Sequence, residues 1–289
     1  MNNLFKCILL ILAILRGTSF IAIKELTQDI SSNQLIFYRF FFSAIILLIL
    51  FHKLFLKLKT KEIILGFIGG VFLYLAFFSQ TIGIQYTTIP KQAFLTSLYI
   101  LFIPVFEYIF YKKIFYKKIN LIGIILGLFF IFFDDMTKLQ TNFNIGDLLT
   151  LFCALFFALN IIIFKNKQDL NIFNVTIIQF FTVTFISYFS SLLIDKKVIS
   201  LEYKYFNKYI FFLIIFCTLI NFLFQNMSQR YVTPEMIGII LSLESVFGAL
   251  FSKLYFNDLF SINFILGCSI IFISLILIQR NQNINNSIS

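Results

Sequence analysis

Tryptophan is absent from the 289-residue sequence, and histidine occurs only once, at His52. A single histidine excludes a metal site built from several imidazole groups. The four cysteines, at positions 7, 153, 217 and 268, all lie within apolar stretches, and no CxxC pair occurs. We therefore expect no zinc site, no disulfide framework, and no metal or other cofactor.

Charge is also scarce, at 12% of residues, whereas 60% of the sequence is hydrophobic. Soluble domains carry about 25% charged residues, so this composition excludes a water-soluble fold. The formal net charge is +10, but the basic residues occupy short gaps between apolar stretches. This distribution is typical of membrane orientation and not of a nucleic-acid-binding face, so we expect no nucleic-acid partner.

Long apolar stretches make up most of the sequence. A helix that spans a lipid bilayer needs about 20 mostly apolar residues. No stretch alternates polar with apolar residues, as the strands of a membrane barrel do. The first stretch continues past Arg16 without a clean cleavage site, so we interpret it as a membrane helix and not as a signal peptide. The sequence predicts an all-α integral membrane protein with ten transmembrane helices, over residues 4–23, 33–51, 63–83, 88–111, 118–133, 147–164, 172–194, 209–228, 234–256 and 262–279.

The placement of lysine predicts how these helices are oriented. With the amino terminus inside, the cytoplasmic side of the first half carries Lys6, Lys53, Lys57, Lys59, Lys61, Lys112, Lys113, Lys117 and Lys118. The outer side of that half carries only Lys24, Lys91 and Lys138. The second half is nearly balanced, so the first half sets the topology. We expect a multi-pass protein of the bacterial inner membrane with both termini in the cytoplasm.

The two halves of the sequence resemble each other. QYTT at residues 85–88 matches RYVT at 230–233, and IPVF at 103–106 matches ESVF at 244–247. Each half contains five predicted helices. Because five is an odd number, the two copies must have opposite orientations, which is typical of secondary transporters with a substrate site between the repeats.

The domain organisation follows from this duplication. We predict a first five-helix repeat over residues 1–135 and a second, inverted five-helix repeat over residues 145–280. A short cytoplasmic tail is expected at residues 281–289. No gap between the apolar stretches is long enough for an extramembrane domain.

Several motifs carry a resemblance to a known family. The motifs are RGTSFIAIK at residues 16–24, YRFFFSA at 38–44, IGIQYTTIPKQAFLTSLYILFIPVFE at 82–107, LSLESVFGALFS at 241–252, and Gly267 in the last helix. In order and spacing, the set resembles the drug/metabolite transporter superfamily, specifically the ten-helix permeases with paired EamA-type repeats. The resemblance covers about residues 5–280.

The sequence departs from the family pattern at two informative positions. Arg16 stands where the pattern usually has tryptophan. Ser245 stands where proline usually follows the glutamate, so we expect the second repeat to lose its helix break while Glu244 is kept. Pro104, inside a predicted helix of the first repeat, is costly there and is expected to interrupt it.

The resemblance implies a secondary transporter, or permease, that moves a small metabolite or amino-acid-like solute by alternating access, more often outward than inward. The expected partners are that solute, the lipid bilayer and a coupling ion such as a proton, with the chain as a monomer or homodimer. Two alternatives are an intramembrane enzyme that acts on lipid and a membrane assembly protein. We expect no enzyme activity, because the sequence has no HExxH, no GxSxG and no carboxylate pair within an apolar stretch.

Two charged residues are predicted near the centre of the membrane. Arg16 and Glu244 each lie about eleven or twelve residues into a helix, which places them ~16–18 Å deep at 1.5 Å per residue. An unpaired charge at that depth costs at least a few kcal/mol. We therefore predict that Arg16 and Glu244 form one buried charge unit at the cavity. Two interpretations of it remain open: a structural ion pair that locks the bundle, or a site that binds a charged solute or titrates a coupling proton.

Four further residues are candidates for solute binding. Lys91 lies about one turn inside the outer end of its helix; either it snorkels to the interface, or it attracts carboxylates, the role that the resemblance favours. Arg39 lies about two turns deep and is interpreted mainly as an anchor. Asn221 and Tyr99 are candidates for lining the cavity. The 43 phenylalanines are assigned to the lipid-facing surface, and Glu107 is expected to reach Lys112 or water.

Overall fold

A computed structural model describes residues 2–55, 57–112, 144–165, 170–196, 198–199 and 206–256, with individual positions within 122–130 and 262–277. Throughout this part of the chain, every regular element is a helix. The α-helices are α1 (Asn2–Leu26), α2 (Ser32–Phe55), α3 (Thr60–Tyr86), α4 (Ile89–Ser97), α5 (Tyr99–Tyr111), α6 (Ile145–Ile163), α7 (Ile172–Ser190), α8 (Lys208–Phe212), α9 (Asn221–Ser228), α10 (Pro234–Leu241) and α11 (Glu244–Tyr255).

Eight spans in the described residues are long and apolar enough to cross a membrane. They agree with eight of the ten predicted helices to within a few residues. Short π-helical segments continue α7 over Ser191–Asp195 and join α8 to α9 over Leu213–Ile220. The predicted helices at 118–133 and 262–279 lie largely outside the described residues, and their described positions are helical. The predicted tail at 281–289 lies wholly outside them.

Helices from the two halves of the sequence pack mainly against each other. Helix α3 packs against α6 and α7, α2 packs against α7, and α1 and α4 pack against α11. The outward surface is strongly apolar, with large side chains such as Ile11, Phe67, Phe185 and Leu193 exposed. Most of the charged side chains within the spans point inward. This is the arrangement that a hydrocarbon environment favours.

Two of the membrane-length helices are interrupted near their middle. Helix α4 ends at Ser97 and α5 begins at Tyr99, while α10 ends at Leu241 and α11 begins at Glu244. At both breaks, backbone hydrogen bonds join residues three apart in place of the four-residue spacing of an α-helix. Leu98 N–H donates to Leu95 at 3.2 Å, and Leu243 N–H donates to Ile240 at 3.3 Å. Such 3₁₀ turns within a helix often mark a hinge.

The positions of these breaks correct two predictions. The first helix is interrupted six residues before Pro104, which lies inside the continuous helix α5. The second helix is interrupted although Ser245 replaces proline. Serine hydroxyls stabilise both turns, because Ser97 donates to the Ala93 carbonyl at 2.9 Å and Ser242 donates to the Ile239 carbonyl at 2.7 Å. Ser97 Oγ also lies 3.2 Å from the Ser242 carbonyl, so the two breaks are in contact.

Candidate functional site

A polar cavity lies at the centre of the bundle, beside the two helix breaks. Its empty volume, counted together with any space open to solvent, is about 280 Å³. Residues from both halves of the sequence line it: Arg16, Ser19, Phe20, Arg39, Phe77, Gln80, Phe157, Cys217, Phe222 and Glu244.

Arg16 and Glu244 meet in this cavity, as the sequence predicted. Arg16 Nη1 lies 3.7 Å from Glu244 Oε2, and the two side chains are 9% and 3% exposed. Asn221 accepts a hydrogen bond from Arg16 Nε at 2.7 Å, and Gln225 accepts one from Arg16 Nη2. The Asn221 amide also donates to the Leu12 carbonyl at 3.2 Å. Asn221 therefore holds the Arg16 side chain in position and does not itself line the cavity.

A glycine brings the two helices close enough for this pair to form. Gly17 lies where α1 crosses α11. A Cβ atom at this position would lie 2.5 Å from Phe247 Cβ and 2.8 Å from the Gly248 nitrogen. Any larger residue would push α1 away from α11, and Arg16 would move with it.

Arg39 faces the same cavity and is only 1% exposed, so it is not an interfacial anchor. Its Nε donates to Thr218 Oγ1 at 3.0 Å, and its guanidinium lies 4.5 Å from the centre of the Phe77 ring. The π-helical segment Leu213–Ile220 presents Thr218 to Arg39, and such segments often occur at functional sites. Arg39 Nη1 has no hydrogen-bond partner within the described structure. One charged donor thus remains available in the cavity.

Aromatic rings form much of the remaining wall, which corrects the assignment of the phenylalanines to lipid. The Arg16 guanidinium lies 5.7 Å from the Phe157 ring centre and 5.1 Å from that of Phe222. Tyr99 is fully buried and its hydroxyl faces Glu244. Neither the Tyr99 hydroxyl nor Glu244 Oε1 makes a hydrogen bond of good geometry. Glu244 Oε1 is therefore an available acceptor in the cavity that also holds the Arg39 donor.

Lys91 lies outside the cavity, at the start of α4, and it does not snorkel. The residue is 1% exposed, and its Nζ lies 2.6 Å from Asp147 Oδ2 in the first turn of α6. Asp147 also accepts hydrogen bonds from Thr87 Oγ1 at 2.9 Å and from the Asn144 backbone N–H at 2.8 Å. We call Thr87, Lys91 and Asp147 the Lys91 cluster. This cluster joins the amino-terminal end of α4 to the amino-terminal end of α6.

A second ionic cluster lies at the carboxy-terminal ends of α5 and α6. Lys165 Nζ contacts Glu107 Oε1 and lies 3.6 Å from Glu235 Oε1, which corrects the expectation that Glu107 reaches Lys112 or water. We call Glu107, Lys165 and Glu235 the Lys165 cluster. The sequence analysis gave no role to Asp147 or Glu235. The one available signal for Asp147 was its spacing after Asn144, which forms a capping box at the start of α6.

The cavity has the chemistry of a receptor for a small solute that carries a carboxylate. Two guanidinium groups and one carboxylate leave it with a net positive charge. Guanidinium groups bind carboxylates with paired hydrogen bonds. The carboxylate of Glu244 can accept from an ammonium group, while the aromatic walls shield the site from water.

Comparison with known proteins agrees with this architecture. The EamA-like transporter family matches the chain twice, over residues 4–133 and 144–280. A curated protein of Archaeoglobus fulgidus named "Uncharacterized transporter" is 30% identical over 275 residues, covering 94% of this chain and 84% of its own length. One solved crystal structure, 14% identical, superposes with a TM-score of 0.76 and covers 94% of this chain and 95% of its own. That likeness concerns the fold alone. The chain is a multi-pass membrane protein and belongs to the EamA-like transporter family.

Proposed function

We propose that this protein transports a small, amino-acid-like solute across the cytoplasmic membrane by alternating access. The observation that carries the proposal is the central cavity, where Arg39 Nη1 and Glu244 Oε1 are both buried and neither makes a hydrogen bond to the described residues. A free cationic donor and a free anionic acceptor in one cavity match the carboxylate and ammonium groups of a zwitterion. Arg16 adds a second positive charge beside the carboxylate position.

The arrangement of the helices supports two inverted five-helix repeats, over residues 1–135 and 145–280. The family matches once in each half. Interrupted helices α4–α5 and α10–α11 occur in corresponding places, and Ser97 of the first lies against Ser242 of the second. Interrupted helices at the repeat interface are the usual location of transporter binding sites. We assign the substrate site to this interface.

The size of the cavity supports a closed state between the two access states. Its empty volume is only about 280 Å³ even when space open to solvent is counted. The Lys91 cluster ties the helices together at one end, and the Lys165 cluster does so at the other. Transport therefore requires one cluster at a time to separate. With the amino terminus in the cytoplasm, the Lys165 cluster faces inward.

Solute uptake into proteoliposomes tests this function. We expect uptake of zwitterionic amino acids and, more weakly, of monocarboxylates, but not of amines that lack a carboxylate. Arg39→Gln should abolish uptake when flux is normalised to inserted protein, whereas Lys57→Gln, on the exposed surface, should leave it unchanged. Uptake of none of these solutes, or equal uptake by Arg39→Gln, would overturn the proposal. An intramembrane enzyme or an assembly protein would give no flux.

A further inference from the structure

The Lys165 cluster contains two acids and one base. One ammonium nitrogen, Lys165 Nζ, lies within ion-pair distance of Glu107 and of Glu235. Their contacts with the same ammonium group place the two carboxyl groups side by side. With both acids ionised, the cluster as the structure describes it would carry a net negative charge inside the protein.

Both acids are buried and incompletely satisfied. Glu107 is 1% exposed and Glu235 is 4% exposed. Within the described residues, Glu107 Oε2 accepts no hydrogen bond, and Glu235 Oε1 has only the Lys165 ammonium nearby, at 3.6 Å. Two adjacent buried carboxylates disfavour each other's charge, and a buried acceptor without a donor is costly. One added proton removes both costs, because it neutralises one acid and supplies an O–H that donates to the other.

Two uncharged groups border the cluster. The Tyr111 ring lies 5.1 Å from Lys165 Nζ, and Thr233 lies beside Glu235. A single proton would balance the two acids against Lys165.

We propose that Glu107 and Glu235 form a proton-binding site in which the two carboxyl groups share one proton beside Lys165. Binding forms one O–H bond on a carboxylate oxygen and converts a hydronium ion to water; release to water reverses the step. The inference deepens the proposed transport function, since it names the proton as the coupled ion. It also places that ion away from Glu244, where the sequence analysis had considered it.

The position of Glu235 connects the proton to the cavity. Glu235 precedes Glu244 by nine residues on the interrupted helix α10–α11, which corresponds to ~13 Å along the axis. Loss of the proton leaves two carboxylates against one ammonium. Their repulsion favours separation of α5 from α10 and opening of that end of the bundle.

Infrared difference spectroscopy of the purified full chain, recorded between acidic and alkaline pH without any solute, tests the site. We expect a protonated-carboxyl C=O band that shifts in deuterated water and disappears as the pH rises. Glu107→Gln and Glu235→Gln should each lose the band, because the remaining acid is then balanced by Lys165 and stays ionised. Glu25→Gln, at the periphery, should keep it.

Two outcomes overturn the site. The wild-type protein with no such band refutes it without reliance on any variant. A band that survives in both glutamine variants but disappears in Glu244→Gln assigns the proton to the central cavity instead. The measurement is independent of flux. If the protein shows the band but takes up no solute, the proton site stands and the transport proposal fails. If it takes up solute but shows no band, the transport proposal stands and the proton site fails.

Discussion

The Lys91 and Lys165 clusters lie at opposite ends of α6, yet they differ in charge balance. At the Lys91 end, one ammonium meets one carboxylate, and Asp147 accepts two further hydrogen bonds. At the Lys165 end, one ammonium meets two carboxyl groups. Within the described residues, Glu107 Oε2 accepts no hydrogen bond there, and Glu235 Oε1 lies 3.6 Å from Lys165 Nζ. A balanced, satisfied pair is suited to hold two helices together. An unbalanced one is suited to gain and lose a proton.

The comparison predicts that the same acid-to-amide substitution has opposite consequences in the two clusters. Removing one member of a balanced buried pair leaves the other charge uncompensated. Removing the surplus acid leaves a balanced pair behind. Five substitutions test this difference and compare it with changes at the central cavity. They follow in decreasing order of expected effect.

Asp147→Asn should have the largest effect. It leaves Lys91 buried without a counter-charge, which typically costs about 3–5 kcal/mol. Thermal unfolding of the detergent-purified protein measures the loss. The Lys91→Met/Asp147→Leu double variant is the control, and it should recover most of the stability because no buried charge remains. A mild loss in Asp147→Asn would show that the Lys91 cluster is not a structural brace.

Arg16→Leu and Glu244→Leu should follow, because their ion pair is longer, at 3.7 Å, and Arg16 has two amide partners besides Glu244. Each single variant should lose a few kcal/mol, and the double variant should lose less than the sum. Melting temperatures of the four proteins in the cycle measure this coupling. Additive losses would mean that the two charges do not interact.

Gly17→Ala changes packing without changing charge, so it sets the scale for the other substitutions. The added methyl group meets the backbone and Cβ atom of α11, and overpacking of this kind typically costs about 1–3 kcal/mol. Thermal unfolding measures it, with Gly69→Ala as a looser control whose nearest contact is 3.2 Å. Equal effects of the two substitutions would contradict the close crossing of α1 and α11.

Glu235→Gln should have the smallest effect on stability, within about 1 kcal/mol of the wild type. The remaining Glu107–Lys165 pair is balanced, and glutamine keeps the shape of the protonated acid. Thermal unfolding at neutral pH measures the loss of stability. The same measurement on Asp147→Asn, the corresponding substitution in the Lys91 cluster, provides the comparison. Losses of similar size in the two variants would remove the distinction between the clusters.

The sequence predicted the overall architecture because apolar stretches of membrane length are unambiguous. It also predicted that Arg16 and Glu244 would meet, since two opposite charges at equal depth in a membrane protein have few other partners. The partner of Lys91 could not be predicted in this way. Asp147 lies at a helix end, where a carboxylate is normally explained by capping and by the helix dipole.

The errors have a common physical origin. Snorkelling, one of the two interpretations of Lys91, rested on its depth alone, whereas the packing of α4 against α6 buries Lys91 beside Asp147. The break in the first helix was assigned to Pro104, whereas the break lies where Ser97 and Ser242 meet across the bundle. Both features depend on contacts between residues far apart in sequence, which composition and local pattern do not contain.

Counterflow in proteoliposomes tests the central claim most directly. Liposomes are loaded with an unlabelled zwitterionic amino acid and diluted into a trace of the same solute with a label. For a carrier that alternates access around one site, the account predicts transient accumulation of label above its equilibrium level in the wild type and none in Arg39→Gln. Entry of label that only rises to equilibrium, or that matches protein-free liposomes, would contradict alternating access through this cavity.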